Sequence, residues 1–286
     1  EKNLGRIKNQ HYSDLEPGSV SILGLLTAGG QGLSTGNNEE YLAFIDGTRD
    51  AEKVRERNSD FKYIEKNEER FSWMSRVITQ EQVADTQSLT DKEKREGIKG
   101  DDDDPVWVPL EKGFVEDDLY YKSTVEYINW STDSLQSLRE SNKSYLRNMD
   151  YNFTEGVCLS IGKFGDLYAR YTNNRVIEHK CTMLTPIDED IVTSKYLTGI
   201  LNSKVVVHLT ENLINRISIE ASDLRIIPIH IPTEKERDRI HDLVNEAIAI
   251  QKNDSEGSIE DVQKRIDRVA AEIYGVDLEA IEDNNE

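Results

Sequence analysis

Apolar positions recur at strand-like spacing through most of this chain and switch to helical spacing near its end. In "SVSILGLLTA", Ser19 to Ala28, branched apolar residues run together until glycines stop them, the pattern of a buried strand. "EEYLAFID" predicts a second strand. The charged stretch Arg49 to Arg70, with Val54, Phe61, Tyr63 and Ile64 as its apolar positions, predicts an exposed helix with loops. Residues 79–105, ending in the run Asp101 to Asp104, read as an acidic loop. From "PVWVPLEKGF" onward aromatics return among strand-like residues: Trp107, Phe114, Tyr120, Tyr121, Tyr127 and Trp130. "SLQSLRESNKSYLRN" predicts a helix. "GVCLSI", "LYARYT" and "RVIEHKCTMLTP" predict strands separated by Gly162, Gly165 and the Asn173-Asn174 turn.

"SKYLTGILNSKVVVHLT" reads as one helix from near Thr193, and "LRIIPIHIP" as an extended segment that its prolines confine to an edge or an exit. Thr233 with Glu236 three residues on forms a capping box, followed by the stripe Ile240, Leu243, Val244, Ala247 and Ile248. A second helix begins at Ser258, with Ile259, Val262, Ile266, Val269 and Ile273 on one face and Gly275 as its stop. The expected fold is α+β: a mixed-sheet domain over residues 1–231, followed by a helical hairpin over residues 232–286 that packs on it or on a partner.

A chain of 286 residues can bury about three quarters of its unfolded surface, so a real core is expected. Hydrophobic content of 36% beside 31% charged residues is polar but not the composition of a disordered chain. Asp and Glu (55) against Lys and Arg (35) leave a net charge of -20, which repels nucleic acid at long range in low salt. A polyanionic partner must therefore meet a local basic patch. Cys158 and Cys181 make no CxxC pair, and no close histidine pair accompanies them, so neither a disulfide framework nor a zinc site is indicated. No apolar run approaches the ~18 residues of a membrane span, and the opening "EKNLGRIKNQ" is no signal peptide, which points to a cytoplasmic protein. The sequence does not open on methionine, so a domain cut from a longer polypeptide is expected.

Glycines crowd "TAGGQGLSTGNNEEYL", Thr27 to Leu42, but it fails as a nucleotide cradle. A Walker loop needs lysine and a hydroxyl residue directly after its last glycine, and here Gly36 is followed by Asn37 and Asn38. A dinucleotide or S-adenosylmethionine loop should open a helix, whereas "NNEEYLAFID" runs into a strand. The paired-proline motif of adenine methyltransferases is missing, since none of Pro17, Pro105, Pro109, Pro186, Pro228 and Pro232 adjoins another. No residue of the chain stands out as catalytic. Asp166 with Glu178 and Lys180 matches a loose magnesium-nuclease pattern, though a solvated strand face explains it as well.

What remains is a set of loop residues suited to DNA. Gln31, Asn37, Asn38, Lys163, Arg170, Asn173, Asn174 and Arg175 are the candidates for reading base edges. Thr35, Lys112, Lys122 and Ser160 are the candidates for gripping phosphates. Trp107, Trp130 and Phe153 are expected in the core.

The order of segments resembles the target recognition domain of adenine-specific DNA methyltransferases of the BREX phage-defence type and related single-chain restriction-modification enzymes. "GQGLSTGNNEEYL" is similar to that family's opening stretch, "WVPLEKGFVEDDLYYKSTVEYINW" to its lysine-glycine segment leading to Ile-Asn-Trp, and "FTEGVCLSIGKFGDLYARYTNNRVI" to its segment leading to Ala-Arg-Tyr. "YLTGILNSKVVVHL", "DLRIIPIHIP" and the tail "EIYGVDLEAIE" continue the likeness. Where the family has a double glycine after the lysine, this chain has Gly113 alone. The resemblance implies a module that selects a site on double-stranded DNA, carries no cofactor, and serves an N-terminal domain of the same polypeptide that methylates adenine N6 with S-adenosylmethionine. A magnesium-dependent nuclease built on Asp166, Glu178 and Lys180 and a protein-interaction module remain as alternatives.

Overall fold

The computed structural model describes residues 15–61, 76–113, 119–124, 126–161, 167–213, 223–253 and 257–282. Along the chain, β1 (Val20–Ile22), a helical turn, β2 (Thr27–Gln31), a second helical turn and β3 (Leu42–Ile45) precede α1 (Arg49–Phe61) and β4 (Arg76–Ile78). α2 (Asp91–Glu96), β5 (Trp107–Glu111), β6 (Glu126–Asn129) and α3 (Thr132–Glu140) lead to β7 (Gly156–Ile161), β8 (Leu167–Thr172), β9 (Val176–Ile177) and β10 (Thr182–Pro186). α4 (Ser194–Leu201), α5 (Lys204–Leu213), β11 (Pro228–His230), α6 (Glu234–Gln251), α7 (Ile259–Tyr274) and α8 (Leu278–Glu282) complete a mixed α/β structure. Among the described residues no helix is long and apolar enough to cross a membrane.

The described strands form three sheets of mixed orientation. One is antiparallel in the order β2-β10-β7-β8, one has the order β4-β3-β6-β5-β9 with parallel β3–β4 and β5–β9 pairs, and β1 pairs only with β11. Strand alternation divides the four-stranded sheet by chemistry. Val157, Leu159, Leu167, Ala169 and Leu184 join the largest core, with side chains of α4 to α7. Cys158 and Arg170, directly opposite each other, lie on the other face. A second core surrounds Trp130, which meets Phe153 edge-on at 5.3 Å, and Trp107 is fully buried nearby in a third.

Some predicted elements are divided and one is tied inward, each for a visible reason. The run Ser19–Ala28 is two strands in different sheets, parted by a helical turn that seats Leu23 and Leu26 in the core; the Thr27 hydroxyl closes it on the Leu23 carbonyl at 2.8 Å. The helix expected from Thr193 breaks at Asn202, whose amide accepts from Ala169 N at 2.8 Å and donates to Ala169 O at 2.7 Å, so it docks the break on β8. The acidic loop is partly internal. The Asp102 carbonyl accepts the Trp107 indole N–H at 3.1 Å, and its carboxylate meets Arg76 and the Asn129 amide.

The hairpin follows its sequence signals. Thr233 and Glu236 form the capping box of α6, and Gly275 ends α7 in the left-handed conformation. Both helices pack on each other and on α4 through Ile240, Val244, Ile266 and Ala270. Buried Asp267 accepts from Lys204 N at 2.9 Å, placing a carboxylate at the N-terminus of α5, where the helix dipole favours it. Gln263 donates to Asp267 at 2.9 Å and accepts the Tyr120 hydroxyl, which ties the hairpin to the segment before β6.

His241 on α6 lies 2.5 Å from the hydroxyl of Thr193, the N-cap of α4. Burial first, then Lys195 and Arg237, holds its pKa below the ordinary 6.5, against the opposite pull of Asp238 and Asp242. A base whose folded pKa is depressed contributes stability that is complete above its unfolded value and lost as pH falls through the folded one. Denaturant melts at about pH 7.5 and about pH 5 should therefore show a loss on acidification that is smaller in His241→Gln. Equal losses in the two proteins would remove His241 as the cause.

Candidate functional site

The seam between the two larger sheets is built around one carboxylate. Glu111 ends β5, buried, because β9 runs parallel beside β5 and covers it. Its Oε1 pairs with Arg170 Nη2 of β8; its Oε2 accepts Arg175 Nη1 at 2.8 Å and the Thr172 hydroxyl at 3.2 Å. Arg170 reaches the seam because alternation turns positions 170 and 172 away from the helices. Arg175 reaches it because the chain reverses through Asn174, at φ 56°, before entering β9. Two guanidiniums share one carboxylate, so the buried group carries a net positive charge.

The seam opens to solvent as a cleft of about 270 Å³ whose lining includes Lys112, Lys122, Arg170 and Arg175 with Glu111 and Glu126. Lys112 Nζ is 2.7 Å from Glu126 Oε1, and Arg175 Nη2 donates to the Lys122 carbonyl at 2.9 Å. The Arg175 guanidinium lies 5.7 Å from the Tyr121 ring, and Lys252 Nζ, just past α6, lies 4.7 Å from that ring. Gln251 accepts the Tyr121 backbone N–H at 2.8 Å. The end of α6 thus braces one lip of the cleft with two cations on one aromatic ring.

The glycine-rich stretch makes a second group. Gln31 is exposed, its side-chain oxygen 3.4 Å from Arg147 Nη1 and its carbonyl accepting Asn148 Nδ2 at 2.7 Å. Thr35 is buried and donates to Asn38 Oδ1 at 2.6 Å, while Asn37 donates to Glu40 at 3.0 Å, so these three side chains shape the turn. The glycines answer to the protein itself. A Cβ on Gly32 would overlap the Ile177 carbonyl, and Gly36, at φ 69°, would drive one into the Lys143 backbone.

The sequence reading missed Tyr145 and Arg147. It carried a helix through them, but α3 stops at Glu140, and Tyr145 instead bridges Ser34 in antiparallel pairing. The Ser-Asn-Lys-Ser run at 141–144 was the available signal. Tyr145 is 55% exposed with the Arg147 guanidinium 5.1 Å over its ring, an aromatic and a cation presented beside Gln31.

The remaining candidates are dispersed. Ser160 is buried in β7, and exposed Asn173 bonds the Tyr171 hydroxyl, whose pKa burial chiefly pushes up to about 12. Lys163 and Asp166 lie outside the described residues. Glu178 is buried, 2.5 Å from His179 Nδ1 and accepting from Lys180 N at 3.1 Å, so its carboxylate closes its own turn. The two groups adjoin through this turn, since His179 N donates to the Leu33 carbonyl and the Lys180 side chain packs beside Gly113. Sequence reasoning placed Arg170 and Arg175 among base readers. Their guanidiniums are instead committed largely to Glu111, the first fully buried at the cleft floor and the second at its lip. Beneath them the carboxylate of Glu111 and the sulfurs of Cys158 and Cys181 lie within 4.8 Å of one another.

In comparisons with known proteins, no family model matches this chain and no curated protein matches it.

Glu111→Gln removes the anion from between two guanidiniums and should cost about 3–5 kcal/mol in urea melts; a cost within ~0.5 kcal/mol would show that the seam does not depend on that charge. Gly36→Ala should lower stability by at least about 1–3 kcal/mol in the same assay, through its positive φ and the Lys143 clash.

Proposed function

We propose that the chain is a sequence-specific recognition module for double-stranded DNA, serving an adenine-N6 methyltransferase of the restriction-modification or phage-defence type. The observation that carries this reading is the gathering of Lys112, Lys122, Arg170 and Arg175 at one open cleft in a chain of net charge -20. Cations scattered at random on so acidic a surface would each be surrounded by acids. Here they outnumber the facing Glu111, Glu126 and Asp50.

In this reading Lys112 and Lys122 meet phosphates, with Lys122 exposed at the lip and Lys112 free to exchange Glu126 for a phosphate oxygen. Arg170 is a positioning residue that holds the floor, and Arg175 shapes the lip through Tyr121. The base-reading role falls to the exposed amide of Gln31 with Arg147 and Tyr145, groups able to bond a base edge or stack on an unpaired base. Methyl transfer and S-adenosylmethionine belong to a catalytic domain of the same polypeptide. The order of segments from "GQGLSTGNNEEYL" to "EIYGVDLEAIE" supports that class.

Binding of a labelled duplex library, measured by fluorescence polarisation across a salt series, tests the reading. Lys112→Ala with Lys122→Ala should weaken binding to all duplexes alike and lower the log–log salt slope by about 2. Gln31→Ala should change which duplexes are preferred at an unchanged slope. Failure of the parent chain to retain any duplex at low salt, or a slope unmoved by the double variant, would overturn it.

A further inference from the structure

We propose that Cys158, Cys181 and Glu111 form a binding site for a thiophilic divalent cation of the zinc class. The three donors come from three places in the chain: Cys158 from the middle of β7, Cys181 from the turn entering β10, and Glu111 from the end of β5. All three side chains are buried, and one ligand atom from each lies within 4.8 Å of the others. Tetrahedral zinc with thiolate bonds of ~2.3 Å and carboxylate bonds of ~2.1 Å needs donor separations of roughly 3.5–3.8 Å, within reach of side-chain rotation alone. Two sulfurs and one oxygen suit zinc or cadmium and disfavour magnesium and calcium, which take oxygen ligands.

Charge accounting supports a divalent ion that displaces thiol protons. Without an ion, two neutral thiols, the Glu111 carboxylate and the Arg170 and Arg175 guanidiniums sum to +1. When a divalent ion enters and both thiol protons leave to solvent, two thiolates, one carboxylate, the ion and the two guanidiniums again sum to +1. The buried seam therefore gains no net charge, whereas a hard cation that left the thiols protonated would add two charges to it. Glu111 Oε1 keeps a second lone pair beyond Arg170, whereas Oε2 already accepts Arg175 and the Thr172 hydroxyl, so Oε1 is the ligand atom and the guanidiniums act as outer partners that orient the carboxylate. Three protein ligands leave the fourth position to water. Cys158 and Cys181 are far apart in sequence and match no ligand spacing, so only folding brings the site together.

The test uses the full chain, reduced with a phosphine and stripped by chelator. Cadmium titration should give a thiolate charge-transfer band saturating at one ion per chain, and zinc should displace it. Cys158→Ala and Cys181→Ala should each weaken binding at least tenfold. Because replacing a buried cysteine can impair folding, only variants with the parent's circular dichroism count. On the parent protein itself, zinc should slow alkylation of both thiols in mild urea and raise the melting temperature with concentration. Absence of a stoichiometric cadmium band in the parent, or undiminished binding by the two folded variants, overturns the site. These readouts involve no DNA, so they stand or fall separately from the recognition reading.

Discussion

The pairing of one buried carboxylate with two guanidiniums is the contact on which the rest of the arrangement depends. Glu111 belongs to the five-stranded sheet, Arg170 to the four-stranded one, and Arg175 to the turn that connects them. A hydrophobic seam would hold two sheets together without fixing their register. A carboxylate sandwiched by forked donors fixes both direction and distance, because a shift of either sheet leaves a charge unpaired away from water. Arg170 also donates to the Lys112 carbonyl and Arg175 to the Lys122 carbonyl, so the backbone carrying both cleft lysines is held by the same two side chains.

That constraint shapes the electrostatics of the surface above it. The chain as a whole repels polyanions, and screening at physiological salt limits the repulsion to within ~8 Å. Local charge then decides what can approach. At the cleft, cations outnumber acids by a small margin, and the pairing of Lys112 with Glu126 means that an incoming phosphate competes with an internal partner. Such an interface favours a ligand that supplies several contacts at once over a single stray anion.

The C-terminal hairpin contributes more than a lid on the core. Through Gln263 and Asp267 it holds Tyr120, whose hydroxyl is buried and pushed well above its usual pKa first by desolvation and then by the Asp267 charge. Tyr120 sits at φ 66°, a costly backbone conformation that the surrounding bonds sustain. The strained residue turns the next one, Tyr121, toward Arg175 and Lys252. The hairpin and the cleft are thereby parts of one mechanical unit.

Local signals determined a good deal of this protein by themselves: the α6 capping box at Thr233 and Glu236, the Gly275 stop of α7, the strands around Cys158 and Ala169, and the burial of Trp107 and Trp130. Each depends on neighbours a few residues apart, where capping geometry and side-chain periodicity act directly. The tertiary structure alone decided where long apolar runs break, as at Leu23–Leu26 and Asn202, because those breaks answer to strands far along the chain. It decided that Gly32 and Gly36 make room for the Ile177 and Lys143 backbones. It also decided which arginines face inward, since Arg170 and Arg175 look in sequence like any exposed cations and become internal only when Glu111 arrives from another sheet. Pairing across sixty residues leaves no periodic trace, and a charge's role is set by its partner rather than by its own identity.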